Sequence, residues 1–68
     1  MNYEHKAITI EHQPKYFEEM LNHYLIPYLN DGWEIILQTP VTSIEEEIRG
    51  DKKTELCVIF ILRKKIIL

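Results

Sequence analysis

Residues 54–68, TELCVIFILRKKIIL, limit the possible folds of this chain more than any other segment. They contain neither glycine nor proline, and their composition is typical of a long β-strand. In an extended strand the apolar side chains divide between two faces: Leu56, Val58, Phe60 and Leu62 on one, Cys57, Ile59 and Ile61 on the other. Because both faces are apolar, both need cover. The segment is therefore expected at the centre of a sheet with a layer on each side.

A helix is predicted between a first strand, residues 2–11, and a turn at residues 30–32. Pro14 fits the first helical turn, where its missing N–H has no cost. Apolar residues then recur at helical spacing: Phe17, Leu21, Tyr24 and Tyr28, with Met20 and Leu25 beside them. Pro27 interrupts this pattern, so a kink or a break is expected near residues 25–26. Gly32 is the expected left-handed residue that ends the helix.

The remaining segments predict a hairpin at the C-terminal end. Residues 33–39 form a second strand, with Trp33, Ile35 and Leu37 on one apolar face. Pro40 marks a bulge, an edge or a break. Residues 41–48 are a weaker strand candidate, which pairs either within the subunit or with a neighbour, and residues 49–52 supply the turn.

These elements predict one α+β domain over residues 1–68 with β-α-β-β topology. If the first two strands are parallel through a right-handed crossover, the last strand can lie between them, antiparallel to both. The sheet is then a small antiparallel or mixed sheet of three to four strands, packed on one kinked helix. A helix covers only one of its faces.

The short length of the chain favours self-assembly. A domain of 68 residues buries too little surface to be more than marginally stable alone. Its one cysteine excludes an internal disulfide, and one cysteine with three scattered histidines does not make a zinc site. We therefore expect a homo-oligomer, a dimer or tetramer, without metal or cofactor.

Charge and hydropathy exclude several classes of partner. The net charge of −3 argues against broad nucleic-acid binding. No apolar run is long enough for a membrane span, the polar N-terminus does not resemble a signal peptide, and a lone cysteine fits a reducing compartment. A cytoplasmic location without membrane contact is expected.

No catalytic arrangement is evident in the sequence. Cys57 lies among apolar residues, Ser43 is the only serine, and two glycines do not form a phosphate-binding glycine loop. The carboxylates at residues 45–47 are typical of a solvated face. The chain is predicted not to be an enzyme.

Aromatic and basic residues are the better candidates for ligand binding. An aromatic ring can stack on a base, and arginine or lysine can clamp phosphate groups. The candidate ligand-binding residues are Tyr3, Tyr28, Trp33, Arg49, Lys52, Lys53 and Arg63. Each also has a structural interpretation: Trp33 can pack the helix end on the sheet, and the charges can solubilise a turn and a terminus.

The motif Gly32-Trp33-Glu34 after Tyr28, with the closing segment 60–64, resembles a family of short bacterial and phage proteins described as a domain of unknown function. The matching residues are Tyr3, Lys6, Gly32, Trp33, Glu34, Phe60 and Lys64. The chain departs from the family pattern at Pro27 and at residues 38–54, which lengthen the hairpin into an arm that can embrace a neighbouring subunit. The resemblance implies a βαββ fold and, because small phage proteins often counter host defences, an anti-defence role.

Two functional hypotheses follow. In the first, the protein is a phage-type sponge, a non-catalytic homo-oligomer that sequesters a cyclic nucleotide immune signal such as a cyclic dinucleotide between its subunits. In the second, it is a small protein-binding inhibitor or adaptor that engages a host protein through the last strand, an exposed sheet edge or the acidic stretch 44–47.

Overall fold

The computed structural model, which describes residues 2–67, contains four strands and one helix in a body of 55 × 18 × 17 Å. In chain order the elements are β1 (Tyr3–His12), α1 (Pro14–Asn30), β2 (Glu34–Gln38), β3 (Thr42–Ile48) and β4 (Asp51–Lys65). Within residues 2–67, no helix is long and apolar enough to cross a membrane. The predicted α+β architecture is confirmed.

Strand β4 is the centre of the sheet, as predicted from its doubly apolar pattern. Strand β1 pairs with its C-terminal part, from His12 opposite Leu56 to Tyr3 opposite Lys65. On the other side, β2 and then β3 pair with successive parts of β4, and all these pairings are antiparallel. Strands β1 and β2 therefore run parallel to each other with β4 between them. Residues 42–48 pair within their own chain.

Strands β2 and β3 pair with the same edge of β4, and Thr39, which lies between them, continues the hydrogen bonding to that edge. Its backbone N–H donates to the carbonyl oxygen of Ile59 at 3.0 Å, and its Oγ1 accepts the N–H of Ile59 at 2.9 Å. The side-chain hydroxyl thus takes the place of a ladder carbonyl just before Pro40. Of the bulge, edge or break predicted at Pro40, the structure shows the break, since β2 ends at Gln38 and β3 begins at Thr42.

The predicted apolar face of β2 is wrong, because the strand contains a bulge. Ile35 lies opposite Leu62, but Leu37 lies opposite Ile61, so one extra residue is inserted between them. An extra residue reverses the alternation of side chains, and Ile35 and Leu37 point to opposite faces of the sheet. Both are exposed.

The core lies between α1 and one face of the sheet. Its buried residues are Ile10, Phe17, Leu25, Trp33, Val58, Phe60 and Leu62. Tyr24 was predicted on the buried helical face but is exposed, and Leu25 is buried in its place. The face that packs on the sheet thus follows residues 17, 21, 25 and 28, which also fits the helical period.

Helix α1 continues through Pro27 to Asn30, so the break predicted near residues 25–26 is wrong. Proline lacks a backbone N–H, so one hydrogen bond is missing near the end of the helix, but the last turn is still held by backbone hydrogen bonds. The N–H of Gly32 donates to the carbonyl oxygen of Leu29 at 3.3 Å, and that of Trp33 to Tyr28 at 3.1 Å. This pair of bonds is a Schellman motif, and the φ of +90° at Gly32 confirms the predicted left-handed residue.

Replacing Gly32 by alanine is expected to lower the free energy of unfolding by about 1–2 kcal/mol. The added Cβ meets only Lys64 Cε at 3.7 Å, an ordinary contact, so the cost comes from the left-handed backbone. Urea denaturation measures the loss. Gly32→Asn, which tolerates this conformation better, is the matched control and should lose less; equal losses for the two variants would contradict the backbone explanation.

Candidate functional site

The structure places the seven candidate residues in two groups along the molecule. Tyr3 and Arg63 lie near the C-terminal end of β4, where the helix end also brings Tyr28 and Trp33. Arg49, Lys52 and Lys53 lie in the hairpin formed by β3 and the first residues of β4, which we call the ribbon (residues 42–57). A single chain therefore does not bring all seven around one ligand.

Tyr28 and Trp33 form a packed aromatic pair at the end of α1. Their rings meet edge to face with centroids 6.3 Å apart, and Trp33 is only 8% exposed. Lys6 Nζ lies 5.0 Å from the Tyr28 ring centroid and 5.6 Å from that of Trp33. This arrangement explains the Gly-Trp-Glu motif physically, since the Schellman motif commonly includes an apolar contact between these two positions.

Tyr3 and Arg63 form a second aromatic–cation pair, on the sheet face opposite the helix. The guanidinium carbon of Arg63 lies 4.5 Å from the Tyr3 ring centroid. Arg63 Nε also donates to the carboxylate of Glu34, and this hydrogen bond is the main cause of a raised pKa for the guanidinium. Beside it, Lys64 Nζ pairs with Asp31 at 3.1 Å. Arg63 is thus oriented by its neighbours and retains further N–H donors.

Arg49 is the first turn residue of the ribbon, between the closing pair Ile48 and Asp51. Its φ is +54° and that of Gly50 is +83°. Positive φ at both central residues defines a type I′ turn, which favours asparagine followed by glycine. The geometry of this turn therefore does not explain why residue 49 is an arginine.

Changing Arg49 to asparagine is expected to raise the free energy of unfolding by about 0.5–1 kcal/mol, because asparagine tolerates the left-handed conformation better than arginine. The midpoint of thermal unfolding monitors this gain. Arg49→Ala, which removes the same charge without that tolerance, is the comparison. If both variants lose stability equally, the arginine side chain itself supports the ribbon.

Lys52 and Lys53 begin β4, opposite Glu47 and Glu46 respectively. Despite this register, neither lysine makes an ion pair within 4 Å among residues 2–67. Strand β1 has already ended at this level, since its last pair joins His12 to Leu56. The beginning of β4 is therefore covered by β3 on one side only.

This ending of β1 leaves a groove of about 390 Å³ between the start of α1 and the start of β4. It is lined by Gln13, Pro14, Lys15, Lys52, Lys53 and Thr54. The helix start has no side-chain cap and no acidic residue in its first turn. Nearby, the buried Nδ1 of His12 has no hydrogen-bond partner among the described residues. We call this the lysine groove.

The lysine groove contains a basic residue that the sequence analysis did not single out, Lys15. Its Nζ lies 5.5 Å from the ring centroid of the exposed Tyr16. Lys15 and Lys52 are far apart in the chain, and only the end of β1 and the turn at Gln13 bring them to one groove. No local motif signals such a pairing.

The chemistry available in the lysine groove is the binding of anions. The ammonium groups of Lys15 and Lys52 and the partial positive charge of a helix start favour phosphate or carboxylate. Within residues 2–67, no three histidine, cysteine or acidic side chains lie close enough together to hold a metal ion. Cys57 is half-buried on the sheet face opposite the helix, not in this groove.

No family model, curated protein or solved structure matches this chain.

Proposed function

We propose that this chain is a non-catalytic, homo-oligomeric binding protein that captures a phosphate-bearing small molecule in the lysine groove, with a cyclic nucleotide signal as its cargo. The observation that supports the proposal is that Lys15 and Lys52, neither of them in an ion pair within residues 2–67, line one groove on the helix side of the ribbon. Sequestration requires affinity without turnover, so the protein acts as a sponge.

The contacts available in the groove match the chemistry of a nucleotide. Charge-assisted hydrogen bonds from lysine hold phosphate oxygens, and the exposed Tyr16 beside Lys15 offers a ring for a base. Stacking of a base on an aromatic ring is worth about 1–3 kcal/mol. The groove of about 390 Å³ falls within the usual size range of small-molecule sites.

The nearby glutamates reduce the positive electrostatic potential of the groove. Glu46 and Glu47 face the two lysines across the ribbon, so the long-range field of the groove is weak. Affinity then depends on direct contacts with the ammonium groups. We expect binding to weaken as the salt concentration rises, because exposed charges are screened.

Titration with a panel of cyclic di- and trinucleotides, followed by calorimetry and native mass spectrometry, tests the proposal. Lys52→Gln is expected to lower the affinity about 5–10-fold, and Lys15→Gln with Lys52→Gln together about 30-fold or more. Lys65→Gln, which changes an exposed lysine at the other end of β4, is the matched control and should bind like the wild type. Indifference to the whole panel, or equal effects of Lys52→Gln and Lys65→Gln, would refute nucleotide capture in this groove.

A second candidate function is that of a small inhibitor or adaptor that binds a host protein through the ribbon. All seven residues of β3 are exposed, and β4 is its only pairing strand among the described residues. An exposed strand edge can accept an added strand from a partner, and residues 45–47 give this edge three carboxylates. Charge reversal at these glutamates should abolish such binding and leave nucleotide capture in place.

A further inference from the structure

The sheet face opposite α1 carries an apolar row that runs from the ribbon to the body of the sheet. The register places these apolar side chains on that face: Ala7, Leu37, Ile44, Ile48, Cys57, Ile59 and Ile61. Leu37 is 61% exposed, Ile48 54% and Ile59 37%. Ile59 belongs to the central strand β4, so its exposure means that this face lacks the second layer that its apolar residues predict. We call this surface the open face.

The open face is large enough for a stable interface. With strands about 4.8 Å apart and a rise of about 3.3 Å per residue, it covers roughly 600 Å² in projection. Standard protein–protein interfaces bury about 800 Å² of accessible surface on each partner.

The charges on the open face are opposite at its two ends. The end at the level of the ribbon carries four carboxylates and one ammonium group: Glu11, Glu46, Asp51, Glu55 and Lys53. The other end carries two cations and one carboxylate: Arg63, Lys65 and Glu34. A surface that is mainly apolar in the middle, with Thr9 and Thr42 there as uncharged polar residues, acidic at one end and basic at the other is complementary to itself when turned end to end.

We propose that a second copy of this chain covers the open face, with the two β4 strands antiparallel and a two-fold axis near Ile59. In this arrangement the apolar rows cover each other, and Glu55 of one protomer lies across from Arg63 of the partner subunit. Two sheets packed in this way form a sandwich with an apolar centre about 10 Å thick. The surface is self-complementary, as a two-fold interface requires.

This arrangement has a consequence for the candidate site. The ribbon of one protomer, with Lys53 on the open face, lies over the end of its partner where Tyr3 and Arg63 are paired. Lys53 of one protomer and the Tyr3–Arg63 pair of the other, distant within one chain, then lie close together twice in each dimer. The dimer deepens the homo-oligomeric part of the proposed function, but its geometry does not depend on nucleotide binding.

Sedimentation over a range of protein concentrations tests the dimer. Leu37→Lys is expected to raise its dissociation constant roughly 100-fold or more, because each dimer buries the new charge twice. Leu37 is already exposed, so the variant should keep the wild-type circular dichroism spectrum. Ile26→Lys, an exposed isoleucine on the helix, is the matched control and should leave the dimer intact. A wild-type monomer at all concentrations, or equal effects of the two variants, would overturn the proposal.

Cross-linking tests the antiparallel orientation. In a Cys57→Ser background, chains with Glu55→Cys are mixed with chains with Arg63→Cys and treated with a short bis-maleimide. Mixed dimers should cross-link, since the two positions face each other across about 10 Å, whereas identical positions lie about 28 Å apart and should not react. Faster cross-linking of Glu55→Cys chains with themselves would contradict this orientation. If the dimer forms as described but binds none of the nucleotides, the proposed function is refuted and the proposed dimer interface is retained.

Discussion

Replacing Trp33 by alanine is expected to lower the free energy of unfolding by about 3–5 kcal/mol and to leave much of the protein unfolded. Trp33 is 8% exposed and belongs to the core cluster. Its indole also packs on Tyr28 and completes the apolar contact of the helix end. A domain of this size has a total stability of only about 3–10 kcal/mol, so one large cavity is enough to shift the folding equilibrium.

Equilibrium urea denaturation followed by far-ultraviolet circular dichroism measures this loss. Tyr24→Ala is the matched aromatic control, because Tyr24 lies on the same helix and is 51% exposed; its cost should stay below about 1 kcal/mol. Trp33→Phe should recover part of the loss by filling part of the cavity. A fully folded Trp33→Ala variant with wild-type stability would show that the indole is not needed for packing.

Leu62→Ala is expected to cost about 2–5 kcal/mol, and Ile59→Ala, on the same strand, clearly less. Leu62 is 0% exposed beneath the helix, whereas Ile59 lies on the open face and is 37% exposed. A fully buried side chain leaves a cavity on truncation. A partly exposed one loses mainly a smaller amount of buried area.

The comparison is made by urea denaturation at low protein concentration, where a dimer is dissociated. At high concentration the cost of Ile59→Ala should increase, because folding and association are then linked, while that of Leu62→Ala should stay larger. Equal costs at low concentration would mean that both faces of β4 are covered within one chain. This result would also remove the basis for the open-face dimer.

The sequence predicted the central position of β4 because its signal is local. A strand with apolar residues on both faces fits only the middle of a covered sheet, and β4 occupies that place. Gly32 and Trp33 were equally accessible to prediction, since a left-handed helix end depends on neighbouring residues. The turn at residues 49–50 follows the same rule.

The errors arise where distant residues decide the structure. The bulge at Ile36 is set by the pairing of β2 with β4, and nothing in the five residues of β2 signals it. Pro27 was expected to kink or break the helix, but the helix continues for three residues after it and ends in the Schellman motif. The lysine groove was half predicted: Lys52 and Lys53 were identified, but Lys15 joins them only through the tertiary fold.

The position of β4 also determines when this fold can form. Within residues 2–67, every other strand pairs with β4, yet β4 follows all of them in the sequence, and Tyr3 pairs with Lys65. Contacts this distant in sequence are formed late and make folding slow, since the chain must close long loops first. During synthesis, residues 3–48 therefore emerge without a partner strand, and the core can assemble only after β4 has left the ribosome. We expect the nascent chain to depend on chaperones during this interval more than a helical protein of the same length.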